Sequence, residues 1–87
     1  MSDEKGQLIG KITHYFNKIG VAVIELTEGD LKVGETIKIE RHEGDFDQVV
    51  NSLQVNHQEV QSAKKGEGFG LKVDQPVKEG NLVYKVS

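Results

Sequence analysis

Three stretches of this chain share one pattern: an apolar residue, a lysine, any residue, a glycine and a polar residue, leading into a segment of alternating apolar positions. They are Leu31-Lys32-Val33-Gly34-Glu35, Ala63-Lys64-Lys65-Gly66-Glu67 and Val77-Lys78-Glu79-Gly80-Asn81. A glycine so placed points to a turn that needs positive φ just before the chain enters a strand. Turns this frequent leave room only for short segments, which is strand length rather than helix length. Their irregular spacing makes this repeated turn chemistry and no solenoid. Composition agrees, because Val and Ile occupy 17 of 87 positions beside ten glycines and a single proline, Pro76, and β-branched residues among turn formers favour strands.

The segments can be placed in order. Residues 1–6 are polar and form a lead-in, and 7–87 form one domain. Leu8-Ile9-Gly10-Lys11-Ile12-Thr13-His14-Tyr15-Phe16 alternates, with Leu8, Gly10, Ile12, His14 and Phe16 on one face. A hairpin turn at Asn17-Lys18-Ile19-Gly20 leads to Val21–Leu26, whose core side is Ala22, Ile24 and Leu26. Thr36–Arg41 turns Ile37 and Ile39 inward. Phe46–His57 is too irregular for one strand unless a bulge lies near Val49-Val50, and Glu59–Lys65 reads as a loop. Phe69-Leu71-Val73 and Leu82-Tyr84-Val86 complete six strands, or seven if the fourth segment divides. So many short strands cover their edges best by closing, so the expected fold is all-β, a closed six- or seven-stranded antiparallel barrel.

Length and charge bound the function. Eighty-seven residues make one small domain, and Leu, Ile, Val and Phe fill 26 positions, enough for a modest core. The net charge of −3 offers no bulk attraction to phosphate or anionic lipid. With no cysteine, disulfides, thiol catalysis and thiolate zinc sites are all excluded. The start of the chain has no apolar stretch for a signal peptide, and no run approaches membrane-spanning length, so a cytoplasmic monomer is expected.

The ordered segments Gly10-Lys11-Ile12, Lys18-Ile19-Gly20-Val21-Ala22-Val23, Leu31–Ile37, Ala63–Leu71 and Val77–Val83 resemble the successive signatures of the second domain of translational GTPases of the elongation factor Tu and initiation factor two type. The resemblance implies a closed barrel and a non-enzymatic module that contacts the tRNA acceptor end or ribosomal RNA. It further implies that Thr13, Tyr15, Val23, Glu67 and Gly68 border an aminoacyl-end pocket, with Asn17 and Lys18 on an RNA-facing loop. Similar barrels occur as accessory C-terminal domains of collagenase-like peptidases, which implies a second reading: a protein-interaction barrel that binds no RNA.

Other chemistry is poorly supported. Gly66-Glu67-Gly68-Phe69-Gly70 is glycine-rich, but a strand follows where a phosphate loop needs a helix N-terminus, and Glu67 would repel phosphate. His14, His42 and His57 lie in separate segments without close ligand pairs, so no metal is expected. Ser52 and Ser62 have no nucleophile-elbow setting, and neither an enzyme nor a cofactor is predicted. Among the aromatics Tyr15 is the best base-stacking candidate, flanked by Lys11 and Lys18; cross-strand packing is the commoner use of such a tyrosine, and Phe69 reads as core.

Overall fold

A computed structural model describes residues 6–56 and 58–86. Apart from Gly6, the expected lead-in lies outside them, as does His57. The chain forms β1 (Gln7–Phe16), β2 (Val21–Leu26), β3 (Leu31–Lys32), β4 (Thr36–Glu40), β5 (Phe46–Val49), β6 (Leu53–Val55), β7 (Gln58–Val60), β8 (Ser62–Ala63), β9 (Gly68–Lys72) and β10 (Leu82–Lys85). Eight of these make one antiparallel sheet in the order β5-β4-β10-β1-β2-β9-β6-β7, and β3 pairs separately with β8. The fourth segment does divide, into β5 and β6, and the stretch expected to be a loop carries β7 and β8.

The three signatures fold into one repeated unit. Gly34, Gly66 and Gly80 have φ of 97°, 90° and 92°, the value required at the third position of a type II turn. In each turn the final side chain accepts from the lysine N–H: Lys32 donates to Glu35 Oε1 at 2.8 Å, Lys64 to Glu67 Oε1 at 2.7 Å and Lys78 to Asn81 Oδ1 at 3.0 Å. Every turn also docks on one buried apolar residue through two backbone bonds. Gly34 N–H donates to Val50 O while Val50 N–H donates to Glu35 O; Leu26 serves Gly66 and Glu67 in the same way, and Ile12 serves Gly80 and Asn81. The apolar residue that opens each unit, Leu31, Ala63 or Val77, is buried. Polar turn backbone is thereby satisfied at the core boundary, where an unpaired group would be costly.

Core faces follow the alternation in β2 (Ala22, Ile24, Leu26), β4 (Ile37, Ile39) and β9 (Phe69, Leu71). In β10 it is Val83 that is buried, while Leu82 and Tyr84 are half-buried. β1 departs from simple alternation as well. Its pairing shifts between Leu8 and Gly10 opposite β10, and between Ile12 and His14 opposite β2, and each extra residue inverts the phase of the strand beyond it. Ile9 and Ile12 are therefore inside, Tyr15 packs against the core, and Leu8, His14 and Phe16 are exposed.

The sheet is open and curled, a half-barrel rather than the closed barrel expected. No ladder among the described residues joins edge strand β5 to β6 or β7, and the ladder between β6 and β9 consists of Gln54 opposite Gly70. The curl instead brings β5 within side-chain reach of the end of β9. There the amide of Gln48, which is 7% exposed, donates from Nε2 to Lys72 O at 3.0 Å and accepts from Asp74 N–H at 2.9 Å.

Candidate functional site

The residues that the resemblance assigned to a pocket and an RNA-facing loop separate into four environments. Thr13 sits at the second bulge of β1, its Oγ1 donating to Val23 O at 3.3 Å. Tyr15, Asn17 and Lys18 lie around the β1–β2 turn, with Phe16 and Ile19 beside them. Glu67 is committed to its turn, where its carboxylate holds Lys64 N–H. Only Val23 and Gly68 meet in a concavity, a shallow groove of about 340 Å³ that also involves Phe16, Ile19, Val21, Gln54, Asn56, Phe69 and Gly70.

That groove follows from strand phase. Ala22 and Ile24 point inward, so Val21 and Val23 stand on the outer face of β2. They pair with Lys72 and Gly70 on β9, and Glu25 pairs with Gly68. With no side chain at Gly68 or Gly70, the outer face of β9 is a trough between the valines and Gln54 of β6. The β1–β2 turn closes one end, leaving Phe16 47% and Ile19 63% exposed. No lining residue is ionisable. The sequence reading missed Phe16, Ile19, Gln54, Asn56 and Gly70 as site residues. The alternation Gly68-Phe69-Gly70-Leu71, which leaves one face bare while the other fills the core, was the available signal.

Polar chemistry elsewhere is engaged in structure. Arg41 donates to Gly44 O, Pro76 O and Gln75 Oε1 at 2.8–2.9 Å and lies 4.7 Å from the Phe46 ring centroid, tying the loop before the third turn to the β4–β5 hairpin. His14 Nδ1 meets Glu79 Oε2 at 3.2 Å, and its ring contacts Phe16. Lys85 faces Asp30 and Glu35 at 3.2 and 3.5 Å. Glu43 is held below the usual carboxylate range, first by a hydrogen bond from its own backbone N–H and then by Lys78, Arg41 and His42. Among the described residues, no group of three or more acidic or histidine side chains could hold a metal ion, and no helix is long and apolar enough to cross a membrane.

Comparison with known proteins redirects the reading. No family model matches the chain. A protein of Methanocaldococcus jannaschii described as an uncharacterized protease is 46% identical over 77 residues, which is 87% of this chain and 19% of that protein. A collagenase of Porphyromonas gingivalis is 31% identical over 78 residues, 88% of this chain and 22% of the collagenase. The chain thus spans about a fifth of the length of the curated relatives it matches. Among solved structures, the C-terminal domain of a putative U32 peptidase from Geobacillus thermoleovorans superposes with a TM-score of 0.85, covering all of both chains at 18% identity. A selenomethionine variant of that domain gives 0.84 over 91% of this chain at 20% identity. The fold is therefore that of the U32 C-terminal domain.

This overturns the translational-GTPase resemblance and the RNA-contacting role drawn from it: relatives and matching structures alike are peptidase-named, over nearly the whole chain. Physical reasons agree. Tyr15, the stacking candidate, is half-buried against the core. The groove that Val23 and Gly68 share carries no charge to neutralise a phosphate backbone.

Proposed function

We propose that this chain is a non-catalytic, protein-binding accessory module of a collagenase-like, U32-type peptidase, with the chemistry of peptide cleavage carried elsewhere. The observation that carries the reading is the 46% identity, over nearly all of this chain, to a segment making up a fifth of a protease. The whole-length superposition on a U32 C-terminal domain supports it.

Segment exchange in the Porphyromonas gingivalis collagenase tests this. Deleting the matching 78 residues is expected to depress hydrolysis of gelatin more than hydrolysis of a short chromogenic peptide, and inserting this chain in their place is expected to restore it. Deletion that leaves both rates unchanged would overturn the proposal.

A further inference from the structure

An accessory module of a peptidase needs a surface that takes polypeptide, and four observations converge on one. Two of the four large exposed apolar side chains among the described residues, Phe16 and Ile19, meet at the groove over β9. The lining is wholly uncharged in a chain where 29% of residues are charged. Flanking charges are of both signs, Glu25 and Glu67 beside Gly68, Lys72 opposite Val21 and Lys18 beside Ile19, with Lys11 across from Glu25. Finally, the side-chain amides of Gln54 and Asn56 have no partner among the described residues.

Resting on the accessory-module reading, we infer that this groove seats a short extended segment of the polypeptide substrate through one uncharged apolar side chain. Electrostatic match decides the chemistry. A carboxylate, ammonium or phosphate in the groove would lose water and find no counter-charge on its walls, whereas an apolar side chain has no polar hydration to lose. The amides of Gln54 and Asn56 each offer a donor and an acceptor, the complement of a peptide N–H and C=O.

Size decides between a strand of chain and a folded partner. At about 340 Å³ the groove accommodates one large side chain with its backbone, whereas a stable interface between folded proteins covers about 800 Å² on each partner. The trough is kept clear without internal need. A Cβ on Gly70 would lie 3.5 Å from Val21 Cγ1 and 3.9 Å from Gln54 O, and one on Gly68 would lie 3.8 Å from Ile24 O, all ordinary contacts. Neither glycine has positive φ. Glycine inside a strand weakens it and commonly marks the close approach of another backbone.

Amide NMR titration of the 87-residue chain with the end-capped hexapeptide acetyl-Ala-Gly-Phe-Ala-Gly-Ala-amide tests the inference. Saturable shifts are expected at Val23, Gln54, Asn56, Gly68 and Gly70. The dissociation constant should change less than about twofold between 0.05 and 0.5 M salt, since no charge pair is formed. Replacing the peptide phenylalanine with alanine should abolish the shifts, and Gly70→Val, which fills the trough, should weaken binding by about tenfold. Ile19→Ser, at an exposed turn position, is expected to weaken it without touching the fold, and so decides the matter if Gly70→Val misfolds.

Shifts confined to another face, no binding, or steep salt dependence would overturn the inference. So would shifts at these same amides on concentrating the protein alone, with a doubled mass by light scattering, because a second copy would then be the occupant. Failure of the groove leaves the segment-exchange result standing, and groove binding beside a neutral deletion removes the accessory reading instead.

Discussion

Gln48 on β5 accepts the backbone N–H of Asp74, two residues past the end of β9, at 2.9 Å, and returns a 3.0 Å bond to the neighbouring carbonyl of Lys72. One side-chain amide stands in for the missing ladder between the curled edge and the far side of the sheet. It satisfies one donor and one acceptor of the backbone, as a paired strand would, without requiring β5 to run alongside β9.

Gln48→Leu is therefore expected to lower stability by about 2–3 kcal/mol, because two backbone groups lose partners where water has little access. Urea unfolding followed by circular dichroism measures the loss. Hydrogen exchange at the Asp74 amide should accelerate in the variant before exchange at the central strands does. Equal acceleration throughout would mean that the bond has no local role at the seam.

Glycine replacements should rank in a fixed order. Gly66→Ala meets nothing within 4 Å but must hold φ of 90°, a conformational cost of about 1–2 kcal/mol. Gly10→Ala should be far worse, since its Cβ would collide with the carbonyl oxygen of Glu25 on the paired strand β2. Gly70→Ala should be neutral or slightly stabilising, by up to about 1 kcal/mol, because its space and backbone accept a methyl group. Thermal melts of the three variants check the order.

Arg41→Lys is expected to cost about 1–2 kcal/mol although charge is conserved. A single ammonium cannot reach Gly44 O, Pro76 O and Gln75 Oε1 at once while lying over Phe46. Faster proteolysis within residues 74–77, with the remaining chain resistant, is the accompanying signature.

Acid sensitivity should include a contribution from Glu43. Its folded-state pKa lies below its ordinary value, so its stabilisation is present above the unfolded value and fades as pH falls through the folded one. Glu43→Gln should flatten the stability profile on the acid side of about pH 4.3, the variant being slightly less stable at neutral pH and the two proteins converging in acid. A profile with unchanged slope in that window would refute the assignment. The group is exposed to solvent, so the effect is small and best read by comparing the two proteins across a pH series.

Much of the fold was legible locally. The three Lys-x-Gly turns, the inward positions of β2 and β4 and the core role of Phe69 follow from positive-φ demand and two-residue periodicity, both of which act over a few residues. β1 was misjudged because its two bulges arise from pairing with β10, near the other end of the chain, and with β2 across a turn, and each bulge inverts the face. That inversion hid Tyr15 and exposed Phe16, moving the candidate site from an aromatic stack to a neutral groove. The turn role of Glu67 was not legible for a related reason: its carboxylate holds the backbone of the turn it closes, a contact that its type alone does not reveal.

By itself, then, the sequence determined that this chain is all-β, where its turns lie and which alternating positions seek the interior, because those preferences are settled by backbone sterics and burial within each segment. Only the tertiary structure decided that the sheet stays open, with Gln48 bridging the seam, and that β9's bare face lies between Val23 and Gln54 as a groove. Both depend on the register and curl of strands distant in sequence, whose pairing energies are shared across the sheet and written in no single segment.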